Sequence, residues 1–117
     1  MTTAARWFSW TVGLALFAVS ASGLPVIRGE FIKAAKVKPT SKIAQAQCAL
    51  CHVPNATKLN PFGRDVQNVT KAKKVKTFTP EVMKALGALD SDKDKVSNAA
   101  EIKADTLPGD PKSKPKK

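Results

Sequence analysis

Residues 48–52 read Cys-Ala-Leu-Cys-His, and these five positions hold both cysteines and the single histidine of the chain. Two cysteines three residues apart fall on one side of a helical turn, so both sulfurs can reach one object. The histidine that follows can aim its imidazole at the same object. Upstream, Lys38-Pro39 ends any preceding helix, because the residue before a proline avoids helical angles. Thr40 or Ser41 then caps a helix over KIAQAQCALCH, residues 42–52, whose Ala and Gln content suits it. Downstream, VPNATKLNP (53–61) carries two prolines and two asparagines and reads as a loop.

Helices are expected further out as well. IRGEFIKAAKV (27–37) places Ile27, Phe31, and Ala34 or Ala35 on one side. Residues 62–74 form a basic helical stretch. Thr79-Pro80-Glu81 supplies a cap, a proline at the first helical position and an acid in the first turn. That helix runs through EVMKALGAL, with Val82, Leu86 and Leu89 on one face. A short helical piece follows DSDKDKVSNAAEI. No segment alternates cleanly between apolar and polar, so the expected class is all-α, one small domain over 24–106. The end, 107–117, is rich in Pro and Lys and reads as a disordered tail.

The N-terminus reads as an export signal. Arg6 is the only charge before Arg28, and WFSWTVGLALFAVSASG lies between them. A positive start, an apolar run and small residues describe a cleaved secretory signal. Its expected extent is 1–21, with a cut as late as 23 as the alternative. The alternative is an uncleaved anchor, but the run is short for a spanning helix of about 20 residues, so cleavage is expected, with no stable membrane insertion afterwards. Cleavage removes Trp7, Trp10, Phe8 and Phe17, leaving Phe31, Phe62 and Phe78 as the only aromatics. A core that thin normally needs a disulfide, a metal or another staple.

Cys-x-x-Cys-His is the attachment pattern of a c-type haem: each thiol adds to one vinyl group and the imidazole binds the iron. Attachment outside the cytoplasm agrees with the signal, and a haem would supply the missing apolar bulk. Three other uses remain open. A Cys48–Cys51 disulfide closes a very small loop and leaves His52 unused. A thioredoxin-like site belongs to a βαβ context, and no strands are expected. Structural zinc takes four Cys or His ligands, and only three are present.

The chain resembles small exported bacterial single-haem cytochromes c. The pieces are Cys48-Ala49-Leu50-Cys51-His52, then Asn60-Pro61-Phe62-Gly63, then Asp90-Ser91-Asp92-Lys93-Asp94, together spanning about residues 31 to 110. The resemblance implies covalent haem c on Cys48 and Cys51, with His52 on the iron. It also implies single-electron transfer rather than catalysis, and a proline carbonyl, Pro54 or Pro61, accepting from the imidazole. Methionine is the common sixth ligand in such carriers, and Met83 is the one candidate left once the start Met is gone. The competing use of Met83 is core packing. The iron site would then be open, as in a gas sensor or peroxidase-like protein.

Residues 90–101 match most positions of an EF-hand calcium loop. Asp90, Asp92 and Asp94 stand at positions 1, 3 and 5, Val96 offers a carbonyl at 7, Asn98 stands at 9 and Glu101 at 12. Lys95 occupies position 6, where glycine permits the sharp turn, and Lys93 adds a second cation. Either the loop binds calcium, or its lysines replace the ion, or it is a solvated acidic turn. A calcium-stabilised module with a Cys48–Cys51 disulfide is the remaining alternative.

The net charge is +11, from 20 Lys and Arg against 9 Asp and Glu. Lys71, Lys73, Lys74 and Lys76 crowd one stretch. A basic face would steer acidic redox partners. Nucleic acid is not expected as a partner, since no recognised module and no aromatic interleaving accompany the charge.

Overall fold

The computed structural model describes residues 24–116, with side chains from Ile27 onward. The signal peptide expected over 1–21 lies outside the described residues. Within them the chain is all-α: α1 (Leu24–Ala34), α2 (Lys42–Gln45), a 3-10 turn (Gln47–Leu50), α3 (Pro61–Ala72), α4 (Pro80–Gly87) and α5 (Asn98–Lys103). An isolated antiparallel bridge between His52 and Leu59 is the only extended pairing among the described residues. No helix among them is long and apolar enough to cross a membrane.

Short polar side chains set the helix starts by accepting first-turn N–H groups that have no intrahelical partner. Ser41 Oγ accepts from Ala44, Asn60 Oδ1 from Gly63, Thr79 Oγ1 from Val82 and Ser97 Oγ from Ala100. Pro61 and Pro80 stand at the first turns of α3 and α4, where no N–H is needed.

The single helix expected over 42–52 is broken. α2 ends at Gln45, and Gln47 takes φ 50°, in the left-handed region. The chain continues as the 3-10 turn that carries Cys48. Tertiary contacts override the local propensity here. Asn60 Nδ2 donates to the Ala49 and Leu50 carbonyls, both at 3.0 Å, and Leu50 is buried at 1 % exposure.

Phe31, Ile43, Leu50, Phe62, Val66, Val82 and Leu86 form the buried apolar core. Phe31 stands at its centre, edge-to-face with Phe62 at 5.5 Å and with Phe78 at 5.4 Å. Such arrangements add to area burial because ring edges and faces carry opposite partial charge. Leu89, expected on the buried face of α4, is 38 % exposed. The helix ends at Gly87, so Leu89 no longer follows its register.

The C-terminal stretch also differs from expectation. Pro108 is fully buried, and Leu107 N–H donates to Ser113 Oγ at 2.9 Å. Gly109 lies against Asn60, where a Cβ would stand 2.8 Å from Oδ1. The Pro and Lys content predicts a solvated tail, yet Pro108 and Gly109 pack on the body, while Pro111 is exposed.

Phe31→Ala should lower unfolding stability by about 3–5 kcal/mol, the usual cost of removing a buried aromatic. The urea midpoint should fall with an unchanged slope. A loss below about 1 kcal/mol would mean that the three-ring cluster does not organise the core.

Candidate functional site

The 3-10 turn, the loop after it and α3 meet around one cavity of about 1130 Å³. Ordinary small-molecule sites occupy roughly 300–1,000 Å³. Cys48, Cys51 and His52 all line it. Both cysteines are free thiols; Cys48 is exposed and Cys51 half-buried. Phe31, Leu50, Val66 and Phe78 give the cavity its apolar walls. Arg28, Lys71, Lys74 and Lys76 also line it, and no acidic side chain does among the described residues.

Backbone contact fixes the cysteine turn against α3. Asn60 N–H donates to the Cys51 carbonyl at 2.9 Å. A Cβ at Gly63 would overlap that same carbonyl, so only glycine allows the approach. Asn60 and Gly63 are therefore positioning residues for the site. The sequence signal for Asn60 was present: an Asn-Pro pair ahead of a periodic apolar run marks a helix cap.

His52 Nδ1 donates to the Thr57 carbonyl at 2.9 Å. This replaces the expected proline carbonyl. The loop folds back on itself, with Val53 N–H donating to Lys58 O at 2.9 Å, and that fold presents Thr57 rather than Pro54. Pro61 is committed to the start of α3. A carbonyl can only accept, so Nδ1 carries the proton of this bond and Nε2 is the ring nitrogen left for another partner. Burial, and secondarily the neighbouring Cys48, push the Cys51 thiol up to about 11. Thiol–disulfide centres use a lowered thiol, so Cys51 is poorly suited to exchange chemistry.

Met83 is not brought to this cavity. It is half-buried on α4, packs against the apolar core and is absent from the cavity lining. The helical register that presents Val82 and Leu86 to the core carries Met83 with them.

The acidic loop lies at a second place, between α4 and α5. One oxygen from each of Asp90, Asp92 and Asp94 falls within 4.8 Å of the others. Glu101 is at 0 % exposure, and neither of its carboxylate oxygens has a hydrogen-bond partner. Asp92 Oδ2 and Asp94 Oδ2 are also buried without partners. Burial, then repulsion from Asp92, Asp94 and Asp90, raises the Glu101 carboxyl to about 8. Burial and the charge of Asp94 raise Asp92 to about 6.

Two expectations for this loop change. Lys93 and Lys95 are exposed and satisfy none of the four unpartnered oxygens, so they do not replace an ion there. Asn98 at position 9 is already engaged: its Nδ2 donates to Leu86 O and Ser91 Oγ, both at 2.8 Å. Its oxygen accepts from Ser91 N–H at 3.2 Å. Asn98 thus ties the loop to α4 instead of facing a ligand. Val96 stands beside the cluster, its N–H donating to Asp94 Oδ1 at 2.8 Å.

Comparison of the chain with protein-family models, curated proteins and solved structures gives no match.

A raised carboxyl stabilises the fold only while it keeps its proton, because the unfolded chain releases that proton at lower pH. In chelator, melting temperature should therefore fall as pH rises from about 5 to 8. Glu101→Gln should flatten most of that fall. A flat profile for the parent protein would contradict the burial of Glu101. Iodoacetamide should modify Cys48 well before Cys51 in protein lacking any group on the thiols, read by peptide mass; equal rates would contradict the Cys51 environment.

Proposed function

We propose that the protein is a periplasmic or otherwise exported single-haem c-type cytochrome that passes electrons between acidic protein partners. Cys48 and Cys51 hold the haem and His52 Nε2 binds its iron. The observation that carries this is the meeting of two free thiols and an oriented imidazole on the wall of one large apolar cavity. The residues present fit the group. The apolar walls suit a flat macrocycle, and the Arg28, Lys71, Lys74 and Lys76 cations suit the carboxylates at its edge.

When bound, haem supplies a one-electron iron couple. The chain's residues do the rest. Cys48 and Cys51 would hold the group through thioether bonds, a thiol addition to its vinyl groups that needs no oxidant. Thr57 O holds the His52 ring in place and makes it a more basic ligand. Phe31, Leu50 and Val66 exclude water from the cavity's inner side. The cationic side chains at the cavity draw a negatively charged partner to the same edge through which an electron would leave.

Met83 lying off the cavity favours a second reading, in which this chain would supply no sulfur ligand to the group. Among the described residues no methionine sulfur lines the cavity. An open iron position, with small-gas binding or slow peroxide chemistry, then accompanies or replaces electron carriage.

The test is a visible spectrum of the protein exported with haem-attachment machinery, oxidised and reduced, with and without carbon monoxide. Covalent haem, retained after acid extraction and lost in Cys51→Ala, is the expected result. Haem-free parent protein would end the proposal. Reduced bands that shift with carbon monoxide would select the open site, and bands that ignore it the closed carrier. Met83→Ala should leave the spectrum unchanged, because its side chain packs against the core and does not line the cavity; a changed spectrum would place sulfur on the iron.

A further inference from the structure

We infer that Asp90, Asp92, Asp94 and Glu101 bind one calcium ion, and that this ion locks the C-terminal segment that buttresses the Cys48–His52 turn. The site stands on the loop's own geometry and needs no haem.

Three aspartates close together are common on surfaces and would prove little alone. Glu101 is the independent observation. It is fully buried, it faces the charge of all three aspartates, and both its oxygens lack partners. A buried carboxylate in that state is costly unless a cation completes it. Two more unpartnered oxygens, on Asp92 and Asp94, belong to the same cluster. The spacing 1, 3, 5 and 12 is that of a loop wrapping a hard cation with oxygen ligands. Calcium is the favoured ion because its ligand shell tolerates an irregular loop, whereas magnesium demands near-octahedral geometry.

The lysines at positions 4 and 6 do not prevent this. Lys93 takes φ 61° and Lys95 φ 74°, so the backbone already makes the turns that glycine usually provides. Their side chains are exposed. Strained turns and added positive charge weaken the site without changing its shape. The expected dissociation constant is about 10⁻⁴–10⁻³ M, the weak end of the EF-hand range.

The link to the cysteine turn runs through named bonds. The buried Glu101 carboxylate feels the charge of Asp90, Asp92 and Asp94, while its backbone carbonyl accepts from Thr106 N–H at 2.9 Å and Thr106 Oγ1 at 3.3 Å. Asp105, beside Thr106, accepts from Lys42 N–H at 3.0 Å and Ile43 N–H at 3.2 Å. It thereby caps α2, which leads into Cys48. On the other side, Ser91 Oγ donates to Asp65 Oδ2 of α3 at 2.7 Å, and α3 forms a wall of the cavity. The aspartates repel one another and Glu101 ionises beside them only at a cost, and an ion among these groups holds α5 and its following turn against α2.

The experiment is calorimetric titration of calcium into the chelator-treated exported protein, with Glu101→Gln as the variant. Glutamine keeps the shape and removes the buried charge, so the variant folds. One calcium per chain, a melting temperature that rises with calcium, and loss of both in Glu101→Gln are expected. No heat at millimolar calcium, with Glu101→Gln equally stabilising in calcium and in chelator, would overturn the site. Amide hydrogen exchange then tests the link. At calcium about ten times the dissociation constant, Lys42 and Ile43 amides should exchange about tenfold more slowly than in chelator. Unchanged rates alongside measurable calcium binding would overturn the link and leave only a local ion site.

Discussion

The buried Asn60 side chain is the joint on which the rest of the structure depends. One amide joins three backbone groups: it donates to the Ala49 and Leu50 carbonyls and accepts from the Gly63 N–H. Each of these groups would cost about 1–3 kcal/mol if buried without a partner. Satisfying all three in one place pulls the cysteine turn out of helical geometry and sets it against the start of α3. Gly63 makes the approach sterically possible, and Gly109 closes over the other side of the same amide. The cavity wall holding Cys48, Cys51 and His52 is a consequence of that joint.

The interior is divided between unlike halves. Around Phe31 the packing is apolar and aromatic, and it borders the cavity. Between α4 and α5 it is polar, with Asn98, Ser91, Asp94 and Glu101 buried. Among the described residues, seven apolar side chains form the core and six polar ones share its burial, a balance that leaves little hydrophobic reserve. At two places the chain does not complete its own interior: the open apolar cavity and the four unpartnered carboxylate oxygens. α3 links them: it lines the cavity through Gly63, Val66 and Thr70, and its Asp65 accepts from Ser91 Oγ of the acidic loop.

Much of this was legible in the residue pattern. Thr79-Pro80-Glu81 marked the start of α4, and Ser41 was one of two candidate caps for α2, because caps are local chemistry carried by a few adjacent residues. Phe31 on the inner face of α1 followed from periodicity alone. The break at Gln47 did not, since Ala and Gln favour helix and the opposing force comes from Asn60, more than ten residues away. The family resemblance implies a proline carbonyl as the partner of His52, whereas the loop's folding back presents the Thr57 carbonyl. Asn98 matched a ligand position by spacing, yet its amide was taken by Leu86 and Ser91. The prolines after Leu107 suggested solvated chain, because composition does not reveal that Pro108 has a pocket to fill.

The sequence by itself determined the helical class, most helix starts, and the grouping of thiols and imidazole within five residues. It also determined the spacing of carboxylates around one loop. These are short-range properties, set by propensity, capping and covalent distance. Only the tertiary structure decided which groups face a common space. It put His52 and both cysteines on one cavity, left Met83 packed against the core and off that cavity, gathered four cations at the cavity and buried Glu101 within reach of the aspartates' charge. The direction of a side chain depends on where its helix ends and what packs against it, and those are fixed by residues distant in the chain.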